Sequence, residues 1–127
     1  MEENLITLEE IFIGMLCYPE QLLFNISLTQ RISEKEQLEE LYERMAYYAE
    51  AIPDYLMNTK EYVPETITVD INEDLSNKML LDGLSDFIEA ICDYADDTGD
   101  EMLLEMTEEL LTLVNQTLLT SSIEFLN

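Results

Sequence analysis

An all-α fold is predicted: a compact bundle of four or five helices with one extended or short β-like crossover near residues 61–72. Three observations predict it. Apolar residues recur at helical spacing, as in the row Leu80, Leu84, Phe87, Ile88, Ile91 and Ala95. Thr7-Leu8-Glu9-Glu10, Ser33-Glu34-Lys35-Glu36 and Thr98-Gly99-Asp100-Glu101 read as capping boxes that open helices. Only three Gly and three Pro occur, too few for a loop-rich fold. At 127 residues the prior is one helical domain spanning 1–127. A chain of this length buries roughly two thirds of its unfolded surface, enough for one core.

The first helix follows Thr7 and turns Leu8, Ile11, Phe12, Met15 and Leu16 inward. Pro19 suits the first turn of a next helix that uses Leu22, Leu23, Ile26 and then Leu28 and Thr29. A single kinked helix is the alternative, and the local pattern leaves both open. A long helix then follows Ser33, with Leu38, Leu41, Tyr42, Met45, Ala49 and Ile52 as its stripe. Glu36, Glu40, Glu43, Glu50 and Asp54 fall on its far side. Pro53 has no amide hydrogen and is expected to end or bend this helix near Ile52. Thr66-Ile67-Thr68-Val69-Asp70-Ile71 alternates polar and apolar residues, a strand period. A lone strand is unstable, so the segment is read as a connector over the helices, anchored by Ile67, Val69 and Ile71. Asn72 or Asp74 can cap the next helix, which runs to about Ala95. Gly83 weakens it by up to roughly 1 kcal/mol unless close packing needs it. The last helix uses Leu103, Met106, Leu110, Leu113, Val114 and Leu118, and Glu124-Phe125-Leu126 packs back or frays.

Composition bounds the function. The net charge is −24, from 29 acids and 5 bases, yet 47% of residues are hydrophobic, too many for a disordered acidic tail. Phosphates would be repelled, so direct binding to nucleic acid or to an anionic membrane is disfavoured. The start, Met1-Glu2-Glu3-Asn4, is acidic where a secretory leader is basic, and no run reaches transmembrane length. Cys17 and Cys92 lie far apart among apolar neighbours and read as buried free thiols. Together these suggest a cytoplasmic protein. The chain has no His, which removes His-based acid–base chemistry and His metal ligands. It has no Cys-x-x-Cys, no glycine-rich phosphate loop and too few Cys for a Cys-only zinc site. No cofactor, no metal and no catalysis are expected.

The acids themselves are patterned. Asp82, Asp86, Glu89, Asp93, Asp96 and Asp100 recur at spacings of 4, 3, 4, 3 and 4, which puts them on one side of a helix. Glu101, Glu105, Glu108 and Glu109 crowd the start of the next. No Lys or Arg follows Lys78, so twelve acids in the last 49 residues have no cation near in sequence. Ordinary solvated faces mix signs and form i,i+4 pairs. The leading expectation is therefore a small acidic protein-binding module. Its candidate partner-binding residues are Asp82, Asp86, Glu89, Asp93, Asp96, Asp97, Asp100, Glu101, Glu105 and Glu108, and its partner a basic protein surface. One helix is too dilute to imitate a DNA strand: Asp82 to Asp93 spans about 16 Å, so its four charges lie about 5.5 Å apart. Two or three acidic faces side by side approach the duplex. In charge and size the chain resembles the small acidic DNA-mimic inhibitors made by phages and mobile elements. The resemblance implies inhibition of a nucleic-acid-binding protein by occupying its DNA site. A homo-oligomer is left open.

Other residues raise competing readings. With Gly99 at the sixth place of a calcium loop, Asp96 is third, Thr98 fifth and Glu105 twelfth, but the first ligand would be Tyr94, which cannot serve. Glu39-Glu40-Leu41-Tyr42-Glu43 resembles the magnesium-binding helix of the all-α nucleoside triphosphate pyrophosphohydrolases. That family adds Glu-x-x-Asp on a second helix; this chain offers Glu89-x-x-x-Asp93 and Asp86-x-x-Glu89, and neither fits. Met15, Met45, Met79 and Met106 read as core. Tyr47, Tyr48, Tyr55 and Tyr62 could leave an amphipathic patch for a partner. In that character the chain is similar to bacterial secretion or flagellar chaperones, which implies an adaptor for a partner's amphipathic helix.

Overall fold

The computed structural model describes residues 5–125, with side chains described through Thr120. Four helices form: α1 (Leu8–Leu28), α2 (Ile32–Lys60), α3 (Asn77–Asp97) and α4 (Glu101–Phe125). α1 and α4 each pack on both α2 and α3, while α2 and α3 occupy opposite corners and meet at their starts through the Asn77–Glu34 hydrogen bond. The directions follow from side-chain partners. Tyr55 of α2 meets Asp100 and Tyr48 meets Glu109, so α2 and α4 are antiparallel. Gly14 lies under Phe87 while Asn25 meets Asn77, so α1 and α3 are antiparallel.

This up-down-down-up order explains the long link. α2 and α3 point the same way, so the chain must return along the bundle between them. α3 is about 30 Å long, and the sixteen residues 61–76 reach up to about 55 Å, so the link has slack. It runs along α1 in α1's own direction. The Tyr62 ring sits 5.2 Å from Phe12. The Asn72 backbone exchanges two hydrogen bonds with the Gln21 amide, at 2.8 and 2.9 Å. Asn25 Nδ2 donates to the Leu75 carbonyl at 2.8 Å.

The alternation at Thr66–Ile71 produces no strand among the described residues, because α1 lies beside it rather than another strand. Of the three expected anchors, Ile67 packs on the core and Val69 is half-buried, but Ile71 is exposed. Tyr62, Asn72 and Leu75 hold the link instead.

Two prolines are absorbed. Pro19 lies inside one continuous α1, and Pro53 inside α2. A mid-helix proline costs about 3 kcal/mol. Carrying α2 past Pro53 fully buries Leu56, contributing about 1.5–3 kcal/mol, and brings Tyr55 to Asp100, so the helix continues. Because α1 is uninterrupted, it is long and apolar enough to cross a membrane by length and composition, contrary to expectation. In the bundle it is a core helix that buries Ile11, Met15 and Leu22. Leu16 and Leu23, expected in the core, face solvent.

The caps also differ in part. Thr7 and Glu10 form the expected capping box. α2 starts earlier than expected, at Ile32 after Arg31, so Ser33 and Glu36 sit within the helix. Glu34 is buried and accepts from Asn77 Nδ2 at 3.0 Å. Ser76, not Asn72 or Asp74, caps α3 by accepting from the Met79 amide. α3 ends in a Schellman turn: Asp100 N–H donates to the Ala95 carbonyl and Gly99 N–H to Asp96, with Gly99 at φ +70°.

At Gly14 α1 passes close to α3: a Cβ there would meet the Phe87 ring at 2.1–2.8 Å. The same ring stacks on Tyr18 at 5.0 Å. Met15 and Met45 are core as expected, whereas Met79 is exposed. Both cysteines are free and half-buried rather than buried. Met1-Glu2-Glu3-Asn4 and the packing expected of Glu124-Phe125-Leu126 lie outside the described residues.

Candidate acidic binding surface

α3 buries Leu80, Leu81, Leu84, Ile88, Ile91 and Ala95. At about 100° per residue, that inward row leaves Asp82, Asp86, Glu89, Asp93, Asp96 and Asp97 within an outward arc of about 100°. All six are exposed. α4 buries Leu103, Leu110 and Val114, and Glu101, Glu105, Glu108 and Glu109 turn outward, again all exposed.

α3 and α4 are antiparallel neighbours joined by a tight turn. The end of one acidic stripe therefore lies beside the start of the other. Cys92 registers the join. Its thiol donates to Thr107 Oγ1 across the seam at 3.3 Å. Burial first, and more weakly the charges of Glu108, Asp93 and Glu89, push its pKa up against the Thr107 hydrogen bond, which lowers it. Carboxylates from both helices thus flank one point of the seam. On the other edge of α3, burial and then Asp86 raise the pKa of Tyr18.

Residues 89–97 of α3 and 101–109 of α4 hold eight exposed carboxylates: Glu89, Asp93, Asp96, Asp97, Glu101, Glu105, Glu108 and Glu109. Each stretch is about 13 Å long, so the pair carries about one charge per 1.7 Å of axis, the linear density of duplex DNA.

Three acids have structural work. Asp82 pairs with Lys78 at 3.1 Å on the same helix. Asp100, predicted among the binding residues, is turned inward, its side chain only 8% exposed. One oxygen accepts from the Leu103 amide at 3.2 Å and the Tyr55 hydroxyl at 2.5 Å, and the other lies 4.0 Å from Lys60 Nζ. It caps α4 and ties α2 to it. Its place directly after Gly99 was the available signal for that role. Glu109 was not among the predicted site residues. It accepts from the Tyr48 hydroxyl at 2.6 Å, and that bond raises the Tyr48 pKa to about 12.

The competing constellations do not assemble. Among the described residues no three carboxylates or thiols group as a metal site. Glu39, Glu40 and Glu43 lie on α2, and α3, which carries Asp86 and Glu89, is at the opposite corner. Tyr48, Tyr55 and Tyr62 pack against the bundle, so of the expected tyrosine patch only Tyr47 is exposed. The chain matches no family model, no curated protein and no solved structure.

Proposed function

We propose that this chain is a small acidic protein-binding module that competes with nucleic acid for a basic site on another protein, in the manner of a phage or mobile-element antagonist. The observation that carries the reading is the run of eight exposed carboxylates at the α3–α4 turn, with the linear charge density of a duplex. These carboxylates would occupy the places of phosphates against Lys and Arg. The field of a chain at −24 speeds encounter with a cationic site and weakens as salt rises.

The arrangement also opposes stability. Asp96 and Asp97 sit in the last turn of α3, where the helix dipole disfavours negative charge, and that turn has no base. A cationic partner relieves that cost on binding.

The test is affinity capture from the protein's own host at low and high salt. Nucleic-acid-binding proteins should be retained at low salt, released as salt rises and displaced by added duplex DNA. Glu89→Lys, Asp93→Lys and Asp97→Lys together should abolish the capture while the helical signal is kept. Capture that survives this reversal, or that duplex DNA fails to displace, rejects the reading.

A second reading, an adaptor for a partner's amphipathic helix, is favoured by a different observation: α1 exposes Ile13, Leu16 and Leu23 along its outer face. It predicts salt-insensitive capture that is lost with Leu16→Ser and Leu23→Ser.

A further inference from the structure

The start of α1 and the crossover form a half-open pocket of about 170 Å³. It is lined by Phe12, Ile13, Tyr62, Pro64 and Ile67, with Thr66, Thr68 and the two acidic residues Glu9 and Glu65 beside them. No base lines it. We propose that this pocket binds a small organic cation: a primary ammonium carried on an apolar body about the size of a phenyl ring. A dry engineered cavity of about 150 Å³ is known to accept benzene, so the volume suits such a body.

The lining fits both halves of that ligand. Phe12 and Tyr62 meet at 5.2 Å and 39° and make one aromatic wall. With Ile13, Pro64 and Ile67 they offer apolar contact to the ligand's body. Glu9 and Glu65 come from two different elements, the first turn of α1 and the crossover, yet line the same space. An ammonium has three donors for their oxygens. A neutral guest would gain nothing from those charges, and an anion would be repelled by both. None of the lining residues belongs to α3 or α4, so the inference does not rest on the acidic surface described above.

The experiment is a titration of the full chain at neutral pH, followed by NMR. Benzylamine, charged at this pH, should shift resonances of Phe12, Tyr62 and Ile67 along a saturable curve. Benzyl alcohol has the same shape without the charge and should bind about tenfold more weakly, the effect expected of two partly exposed charge contacts. The double variant Glu9→Gln, Glu65→Gln should bring the two probes to equal affinity. Both side chains are exposed, so its melting temperature should stay within a few degrees of the parent's. Should it melt lower, Glu65→Gln alone, which lies outside any helix, should lose about half the discrimination. Nα-acetyl-lysine amide separates the two sources of such a cation. Tighter binding than benzylamine assigns the pocket to a partner's lysine side chain, and weaker binding assigns it to a free amine. Equal binding of benzylamine and benzyl alcohol overturns the proposal. So do cation shifts confined to α3 and α4, discrimination that survives in the double variant, or no saturable shift with either amine.

Discussion

Helix α1 and the α3–α4 pair turn opposite surfaces to solvent. α1 exposes Ile13, Leu16, Leu23 and Leu28 at 37–59%, and its acids are Glu9, Glu10 and Glu20. The stretch from Asn77 to Glu109 carries eleven acids, of which Asp100 alone turns inward. The crossover that runs along α1 adds five exposed acids, Glu61, Glu65, Asp70, Glu73 and Asp74, and no base. The α3–α4 pair differs in setting its acids on two adjoining helices, while α1 is organised by contacts on its inner side.

Those inner contacts give the largest expected effect. Gln21, Asn25, Thr29, Glu34 and Asn77 form one polar network that fastens α1, the crossover and the starts of α2 and α3. Asn25 is 4% exposed. Its amide donates to the Leu75 carbonyl and to Asn77 Oδ1, and accepts from Gln21. Asn25→Ala leaves several of these groups buried without a partner, at about 1–3 kcal/mol for the first and less where water enters. A total loss of about 3 kcal/mol is expected in chemical denaturation. A loss under about 0.5 kcal/mol would mean that the network is not what orders α1.

Gly14→Ala comes next. The new methyl would lie within 2.1 Å of the Phe87 ring, which is itself stacked on Tyr18. The ring must move and its stack with it, a loss of about 1–3 kcal/mol. Gly14→Ala with Phe87→Leu should recover part of that loss. An unchanged midpoint for Gly14→Ala alone would show that α1 and α3 do not cross so closely.

Much of this contrast was legible in the sequence, and the rest has identifiable causes. The 3.6-residue period gave the inward row of α3 and the acids opposite it, because both depend on one helix. Leu16 and Leu23 were misplaced because α1 has apolar residues on nearly every side, so periodicity could not choose a face. Pro53 hid Leu56: a local rule about one missing hydrogen bond was outweighed by burial that only the assembled bundle supplies. Gln21, Asn25 and Asn77 were invisible as a group because their partners lie 43–52 residues away. Asp100 fits the acidic spacing of α3 perfectly well, yet the Schellman turn at Gly99 hands it to α4 as a cap.

The interhelix tyrosines tie the acidic strip to α2 and give it a pH signature. The hydrogen bond from Tyr48 to Glu109 holds the phenol in its neutral form and raises its pKa from the usual 10 to about 12. The folded-state value is the higher one, so the stabilisation is complete below about pH 10 and is lost as pH rises through about 12. Tyr48→Phe should cost about 1 kcal/mol at neutral pH. The difference between parent and variant should vanish across that window. A difference that persists unchanged to pH 12 would detach Tyr48 from Glu109.

The smallest effect tests the contrast most directly, because salt should change it on one face and not on the other. Asp97→Asn removes a charge from the last turn of α3, a turn that has no base of its own, close in sequence to Asp93, Asp96 and Glu101. Both the dipole and the neighbours favour its loss, so the variant should be more stable by about 0.3–1 kcal/mol at low salt. Salt screens the same repulsion with a reach of about 10 Å at 0.1 M, so the gain should shrink as salt is added. On α1, Leu23→Ser removes an apolar group that is 44% exposed. It should change stability by no more than about 0.5 kcal/mol, with no salt dependence. If Asp97→Asn destabilises, or gains equally at all salt concentrations, the strip is not electrostatically strained. If Leu23→Ser unfolds the protein, the outer face of α1 is part of the core and the contrast between the two faces disappears.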